Sequence, residues 1–217
     1  MATETELKLL VDPAAIEQLK QHPLLATANR QDARLLRNTY YDTPALELAA
    51  ARVALRVRQQ GERRIQTLKT RGQSVDGLHQ RGEWEWELDN DRLDPALLQA
   101  DIWPATLPLA EQLALEPVFT TDFRRRLWWL RFDGTEIEVA LDQGEVACSG
   151  PEGVRLTDPI CELELELRSG PAAALFALAR TLGEQTELRP SDISKAQRGY
   201  RLFRQCRQTL TDGRGGR

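Results

Sequence analysis

The feature that most constrains this chain is a two-residue alternation of charged and apolar side chains that recurs in stretch after stretch. Side chains alternate across a β-strand, so residues two apart share a face. On that reading Glu4, Glu6 and Lys8 share one face. Arg56 and Arg58 share another, opposite Val53, Leu55 and Val57. Thr67, Lys69 and Arg71 fall together, as do Arg81, Glu83, Glu85 and Glu87. Glu136, Glu138 and Asp142 stand opposite Ile137, Val139 and Leu141. Glu162, Glu164 and Glu166 stand opposite Leu163, Leu165 and Leu167. An ordinary antiparallel sheet shows a mixed polar face to water. Here like charges stack strand by strand, which a sheet selected for stability alone avoids.

These stretches are the core of a longer series. Strands are expected over 3–11, 33–42, 52–59, 62–71, 78–88, 118–131, 135–146 and 159–168. Gln60-Gly61 and Phe132-Asp133-Gly134 mark hairpin turns. Asp12-Pro13 reads as an N-cap followed by proline at the first helical position, with Pro23 bending or ending that helix. Short helices broken by Pro95, Pro104 and Pro108 are expected over 91–114. Two further helices are expected over 171–185 and 192–204, the second capped by Asp192. The fold class is therefore α+β: an eight-stranded antiparallel β-barrel with helices packed on the outside.

If helices cover the apolar faces, the charged faces point inward. A small barrel filled with charge is tolerable only when water, metal or a charged ligand occupies it. Clustered carboxylates without His or Cys suit a hard cation such as Mg²⁺ or Mn²⁺. Clustered Arg and Lys suit phosphate oxygens. Together they suit a polyphosphate, with a divalent ion offsetting the repulsion from the carboxylates. The net charge of −4 gives no global basic field, so nucleic acid and anionic membrane are not expected partners. Cys148, Cys161 and Cys206 make neither a disulfide framework nor a zinc site with His22 and His79. The acidic N-terminus is not a signal peptide, and Pro171–Ala179 is too short to span a bilayer. A cytoplasmic protein is expected.

Several segments also resemble one family. Glu4-Thr5-Glu6-Leu7-Lys8 is similar to the ExExK signature of the CYTH superfamily, the triphosphate tunnel metalloenzymes. It is followed in order by Tyr40-Tyr41-Asp42-Thr43-Pro44, Leu55-Arg56-Val57-Arg58, Thr67-Leu68-Lys69, Arg81-Gly82-Glu83, Phe123-Arg124-Arg125, Glu138 to Asp142, Glu162 to Glu166 and Ser194-Lys195. The wording most resembles the CYTH domain of bacterial inorganic triphosphatases. The resemblance covers residues 1–205, leaving 206–217 as a flexible tail. It implies hydrolysis of tripolyphosphate to pyrophosphate and phosphate with two Mg²⁺ or Mn²⁺ ions. It implies that Glu4 and Glu6 serve one ion beside the reacting phosphate, with Lys8 at the catalytic end, and that Asp142, Glu162 and Glu164 hold the other. Glu83 or Glu85 adds an acidic wall position, and Glu138 extends that acidic set. Lys8, Arg56, Arg58, Lys69, Arg81, Arg125 and Lys195 form the phosphate-binding set. Adenylyl cyclase or thiamine triphosphatase chemistry on the same tunnel, and a non-catalytic polyphosphate-binding module, are the alternatives. Such triphosphatases often carry a second, histidine-containing helical domain, which is expected to be absent here. Arg124, Arg126, Trp84 and Trp86 are expected to face outward, Glu87 and Glu166 to sit at a tunnel mouth, and Tyr40 and Tyr41 to serve packing.

Overall fold

The computed structural model describes residues 2–150 and 153–212. The barrel uses β1 (Ala2–Val11), β3 (Arg34–Asp42), β4 (Ala54–Gln60), β5 (Arg63–Lys69), β7 (Leu78–Leu88), β8 (Glu116–Phe132), β9 (Thr135–Ser149) and β10 (Arg155–Ser169). Three short strands are accessory: β2 (Asn29–Arg30), β6 (Gln73–Val75) and β11 (Leu188–Pro190). Around the barrel each strand is antiparallel to the next, in the order β1, β10, β9, β8, β3, β4, β5, β7. Closure falls on β1. Its first half pairs with β7, from Ala2 opposite Glu83 to Leu7 opposite Leu78. Its second half pairs with β10, from Glu6 opposite Glu166 to Leu10 opposite Glu162. Among the described residues each of the eight barrel strands is therefore paired with two neighbours. The β8–β9 hairpin turns at Asp133 and Gly134, both at positive φ (47° and 77°), which matches the right-handed strand twist.

Burial settles which way the alternation points. Leu7, Leu9, Val139, Leu141, Leu163 and Leu165 are buried on the outside, beneath Leu175, Leu178 and Leu182 of α4 (Ala173–Gly183). Leu55, Leu68, Trp84 and Trp86 pack outward against Leu98, Trp103 and Ala110. The charged faces therefore turn inward, as the sequence predicts. The cover over Trp84 and Trp86 is not α-helical. Residues 91–114 form only 3₁₀ turns at Pro95–Leu97 and Ala110–Gln112, because closely spaced prolines remove donors and stop an i→i+4 ladder. The first helix is likewise in pieces: a 3₁₀ turn at Pro13–Ala15 capped by Asp12, then α1 (Ile16–Lys20), then α2 (Pro23–Ala26). A further short helix, α3 (Glu47–Ala50), has its amides at Leu48 and Ala49 bonded by the buried Asp42 carboxylate, at 2.9 Å each.

The last helix, α5 (Lys195–Asp212), closes one end of the barrel. Its cap differs from the sequence expectation. Ser194 Oγ accepts from Gln197 N (3.2 Å) while Gln197 Oε1 accepts from Ser194 N (2.7 Å), a capping box. Asp192 instead accepts from Ser74 Oγ (2.6 Å) and Gly77 N (2.9 Å), tying the approach to α5 onto the β6–β7 turn. The helix carries residues 206–212, the first part of the expected tail; the remainder, 213–217, lies outside the described residues. β10 begins at Arg155, four residues before its expected start. Ala196 and Tyr200 of α5 pack among Leu36, Tyr40, Phe119 and Phe123. The Tyr200 ring meets Phe119 edge-on at 5.0 Å, and Tyr40 stacks on Phe119 at 4.6 Å.

Gly199 is where this closure is tightest. A Cβ there would lie 2.0 Å from Phe119 Cε2. Glycine to alanine in a helix is otherwise favourable by about 1 kcal/mol. Gly199→Ala is expected to reverse that sign and destabilise the protein by about 1–3 kcal/mol through overpacking, read as a lower urea midpoint at unchanged m.

Candidate active site

The barrel encloses a cavity of about 260 Å³. Nine Lys and Arg side chains line it, against six glutamates. Glu4, Asp142 and Glu162 stand just behind and pair with those cations. Cations and carboxylates are thus equal in number, so net charge does not draw a polyanion in. What matters is how the charges are distributed.

At the α5 end the two signs are matched one to one. Asp142, Glu162 and Glu164 converge from β9 and β10, with an oxygen from each lying within 4.8 Å of the others. The β9–β10 register places Asp142 opposite Glu162, and the β1–β10 register places Lys8 opposite Glu164. Lys8 Nζ donates to Glu162 (3.0 Å) and Glu164. Lys195, delivered by the first turn of α5, reaches Asp142 (2.6 Å), Glu162 and Glu164 (2.9 Å). It also lies 4.9 Å from the centre of the Phe123 ring. Arg125 grips Asp142 through Nε and Nη2 at 2.8 and 2.7 Å and reaches Glu164 at 2.5 Å. Burial works against ionisation of Asp142, but Arg125 and Lys195 outweigh it and hold the carboxyl below its ordinary range. Glu164 is held well below its ordinary range against its burial by Lys195, Lys8 and Arg125. Burial likewise disfavours a charged Lys8, yet Glu162, Glu164 and Glu6 raise it well above an ordinary lysine.

A second network occupies the β1–β7 seam. Lys69 Nζ bonds Glu4 at 2.8 Å and lies 3.1 Å from Glu83. Arg81 bonds Glu4 at 2.9 Å and Glu6 at 3.1 Å. Burial raises the Glu4 carboxyl, and Lys69 and Arg81 more than reverse it, to well below the usual range. A third group lies at the open mouth, opposite α5. Arg168 joins Glu138 and Glu166, each at 2.8 Å, and lies 5.3 Å from the centre of the Trp129 ring. Burial, with Glu4 and Glu138 nearby, lifts Glu166 to about 7 in spite of Arg168.

The β4 wall is different. Arg56 is buried, its Nε has no hydrogen-bond partner, and its nearest carboxylates, Glu83 and Glu85, stand 3.8 and 3.9 Å away. Arg58 bonds only Asn38 Oδ1, at 2.8 Å, and pairs with no carboxylate among the described residues. Burial, followed by the neighbouring Arg56 and Arg125, brings its guanidinium down to about 9. Tyr40 lines the same wall, and its hydroxyl, held below the ordinary tyrosine range despite burial by Arg56, Arg58 and Lys69, completes a strongly positive surface.

The structure therefore gathers the sequence-predicted residues into groups of unequal kind. Asp142, Glu162 and Glu164 alone among the described carboxylates form a compact metal-type cluster. Their donor set is all oxygen, and Glu162 Oε2 is buried without a hydrogen-bond partner, so the residues fit a hard divalent ion. Glu4 and Glu6 line the seam as partners of Lys69 and Arg81, Glu83 and Glu85 face Arg56, and Glu138 belongs to the mouth. Glu166 is at the mouth as expected, whereas Glu87 pairs with Arg63 on the surface. Neither Arg124 nor Arg126 lines the cavity. Arg34 and Arg168 do, and sequence reasoning passed over them; Tyr40, assigned to packing, also lines it. The inward period of β3, through Leu36 and Tyr40, was the available signal for Arg34.

A closed antiparallel barrel with paired carboxylates and cations inside defines a charged-ligand tunnel. The CYTH domain family model matches residues 2–200, and the chain belongs to that family. It is 37% identical over 213 residues to a Haemophilus influenzae protein named inorganic triphosphatase, covering 98% of this chain and 58% of that relative's length. The chain thus spans less than two thirds of that relative. Two solved structures share the fold. A Hippeastrum protein, described as an adenylyl cyclase candidate with a dominant triphosphatase activity, is 20% identical, with 93% and 95% of the two chains covered and a TM-score of 0.59. A Pyrococcus horikoshii protein is 19% identical, with 91% and 98% covered and a TM-score of 0.58.

Two stability predictions follow from the charge pattern. Asp142, Glu164 and Glu4 have folded-state values below their unfolded ones, so the stability they contribute is present above the ordinary carboxylate range and is lost as pH falls through it. Urea midpoints are expected to fall progressively below about pH 5. Arg58 has the opposite effect. Its lowered value means that its charge opposes folding at neutral pH, and the penalty is relieved only above about 9. Arg58→Met is expected to stabilise the ligand-free protein at pH 7 by on the order of 1 kcal/mol, while weakening anion binding in calorimetry.

Proposed function

We propose that the tunnel hydrolyses inorganic triphosphate to pyrophosphate and phosphate in a reaction that depends on a divalent metal. One observation carries this reading: the Arg56–Arg58 wall, buried at Arg56 and half-buried at Arg58, whose charge no carboxylate among the described residues neutralises fully, faces a compact carboxylate trio across one cavity. Unmatched buried cations are costly unless an anion joins them. A chain of phosphates supplies such an anion along the length of the wall. The name of the Haemophilus relative supports the same substrate.

Asp142, Glu162 and Glu164 would hold one ion, and Glu4 with Glu6 a second. Bound Mg²⁺ or Mn²⁺ supplies charge neutralisation between phosphate oxygens and a more acidic water. The protein's own residues do the positioning on which phosphoryl transfer mainly depends. Arg56 and Arg58 donate to phosphate oxygens from one side, and Arg125 and Lys195 from the other. Lys8, held protonated by its carboxylates, offsets charge on the oxygens and is not a base. Lys69 and Arg81 fix Glu4 and Glu6 on the β1 wall. Pairing also keeps the buried Asp142 and Glu164 ionised and ready to meet an ion. Three free thiols support a cytoplasmic protein.

Phosphate release from tripolyphosphate is expected with Mg²⁺ or Mn²⁺ and is abolished by EDTA, with ATP and thiamine triphosphate turned over far more slowly. Cyclic AMP formed from ATP would point instead to a cyclase, and tight tripolyphosphate binding without turnover to a binding module. Glu6→Ala and Glu164→Ala are each expected to lower kcat by about 10²–10³-fold, with folding checked by urea titration. Near-normal turnover in either variant would overturn that residue's place at the metal.

A further inference from the structure

The cations of the cavity differ in what already occupies them. Arg168 at the mouth is tied to two carboxylates and lies over Trp129. Arg34 is not tied to any. It shares the inward face of β3 with Leu36 and Tyr40, lines the cavity while remaining exposed to solvent, and pairs with no carboxylate among the described residues. Its cross-strand partner is another arginine, Arg125. Like charges directly opposite on neighbouring strands are destabilising. β3 therefore carries a cation where strand pairing disfavours one, on the inside of the barrel and toward its open end.

Position along the strands gives this cation a direction. Arg58 stands opposite Asn38, and Arg34 is four residues further along β3 toward the mouth, ~13 Å at the usual strand rise. Gln60 lies on the same side, two residues beyond Arg58, and also lines the cavity. The basic surface thus continues outward along β3 and β4, past the point where a short phosphate chain seated against Arg56 and Arg58 would end.

We propose that Arg34, with Gln60 beside it, forms an outer subsite that binds the phosphates of a linear polyphosphate beyond the third. This rests on the tunnel being a phosphate site, and it adds chain length as a property that the mouth decides. An exposed guanidinium there donates to a phosphate oxygen that tripolyphosphate does not present and that a longer chain does. Orthophosphate units added at the outer end extend toward Arg34, while the reacting end stays at Lys8 and Lys195.

The test compares tripolyphosphate and tetrapolyphosphate, for turnover and for calorimetric binding, in the wild type, Arg34→Ala and Arg34→Lys. Arg34 is exposed and makes no ion pair, so Arg34→Ala is expected to keep its fold, checked by its urea midpoint. It should lower kcat/KM and affinity for tetrapolyphosphate about 5–10-fold, the scale of an exposed charge-assisted contact, while changing both for tripolyphosphate less than twofold. Arg34→Lys should recover part of the loss. An equal loss on both ligands would reduce Arg34 to a contributor to the general field, and no loss on tetrapolyphosphate would remove the subsite. If neither compound is hydrolysed, the proposed activity fails, but the two calorimetric titrations still decide whether Arg34 reads the longer chain.

Discussion

Everything else in this barrel depends on the mutual neutralisation of Asp142, Glu162 and Glu164 by Lys8, Lys195 and Arg125. All three carboxylates are buried, and an isolated buried carboxylate would shed its charge by taking up a proton. Here four strands, β1, β8, β9 and β10, and one helix bring these charges to one point, so Asp142 and Glu164 stay ionised despite burial. A barrel with an apolar interior would have been simpler to stabilise. The ionic interior is retained because a charged ligand has to displace or join those pairs.

The same network links fold to site. Lys195 is both the first residue of the helix that closes the barrel and a partner of all three carboxylates. Its placement relies on the capping box at Ser194 and Gln197 and on the packing of Ala196 and Tyr200 against the Phe119 cluster. The apolar closure of one end therefore positions a cation of the interior. At the other end no helix intervenes, and the mouth is defined by side chains of β3, β4, β9 and β10. The tunnel is thus polarised along its length, neutralised deep inside and left partly unmatched along β4 and toward the mouth.

Much of this was legible in the residues. The alternation Glu162-Leu163-Glu164-Leu165-Glu166 admits one arrangement once α4 needs an apolar floor, and Leu163 and Leu165 do form that floor. The hairpin at Asp133-Gly134 was equally plain, because few residues tolerate two successive positive φ angles. Helix details were less accessible. Asp192 has the chemistry of a cap, but tertiary contacts with Ser74 and Gly77 claim it, and Ser194 takes its place. Asp42, in the Tyr-Tyr-Asp-Thr-Pro segment, holds the amides of α3 and takes no part in the cavity's ion pairs.

By itself, the sequence determined the strands and the inward direction of their charged faces, since a period of two assigns each side chain to a face, while the membership of the basic and acidic sets came from the family resemblance. It could not determine which cation meets which carboxylate. That choice depends on the registers of β1 against β10 and of β8 against β9, and on where α5 enters, all of which join residues far apart in the chain. Of the eight acidic residues expected at metal positions, Asp142, Glu162 and Glu164 form the compact trio, and the others are partners of arginine and lysine. Arg58 and Arg34, unremarked by their own charge, are left without a carboxylate partner among the described residues, because Coulomb pairing at these distances is decided by angstroms that only the closed barrel sets.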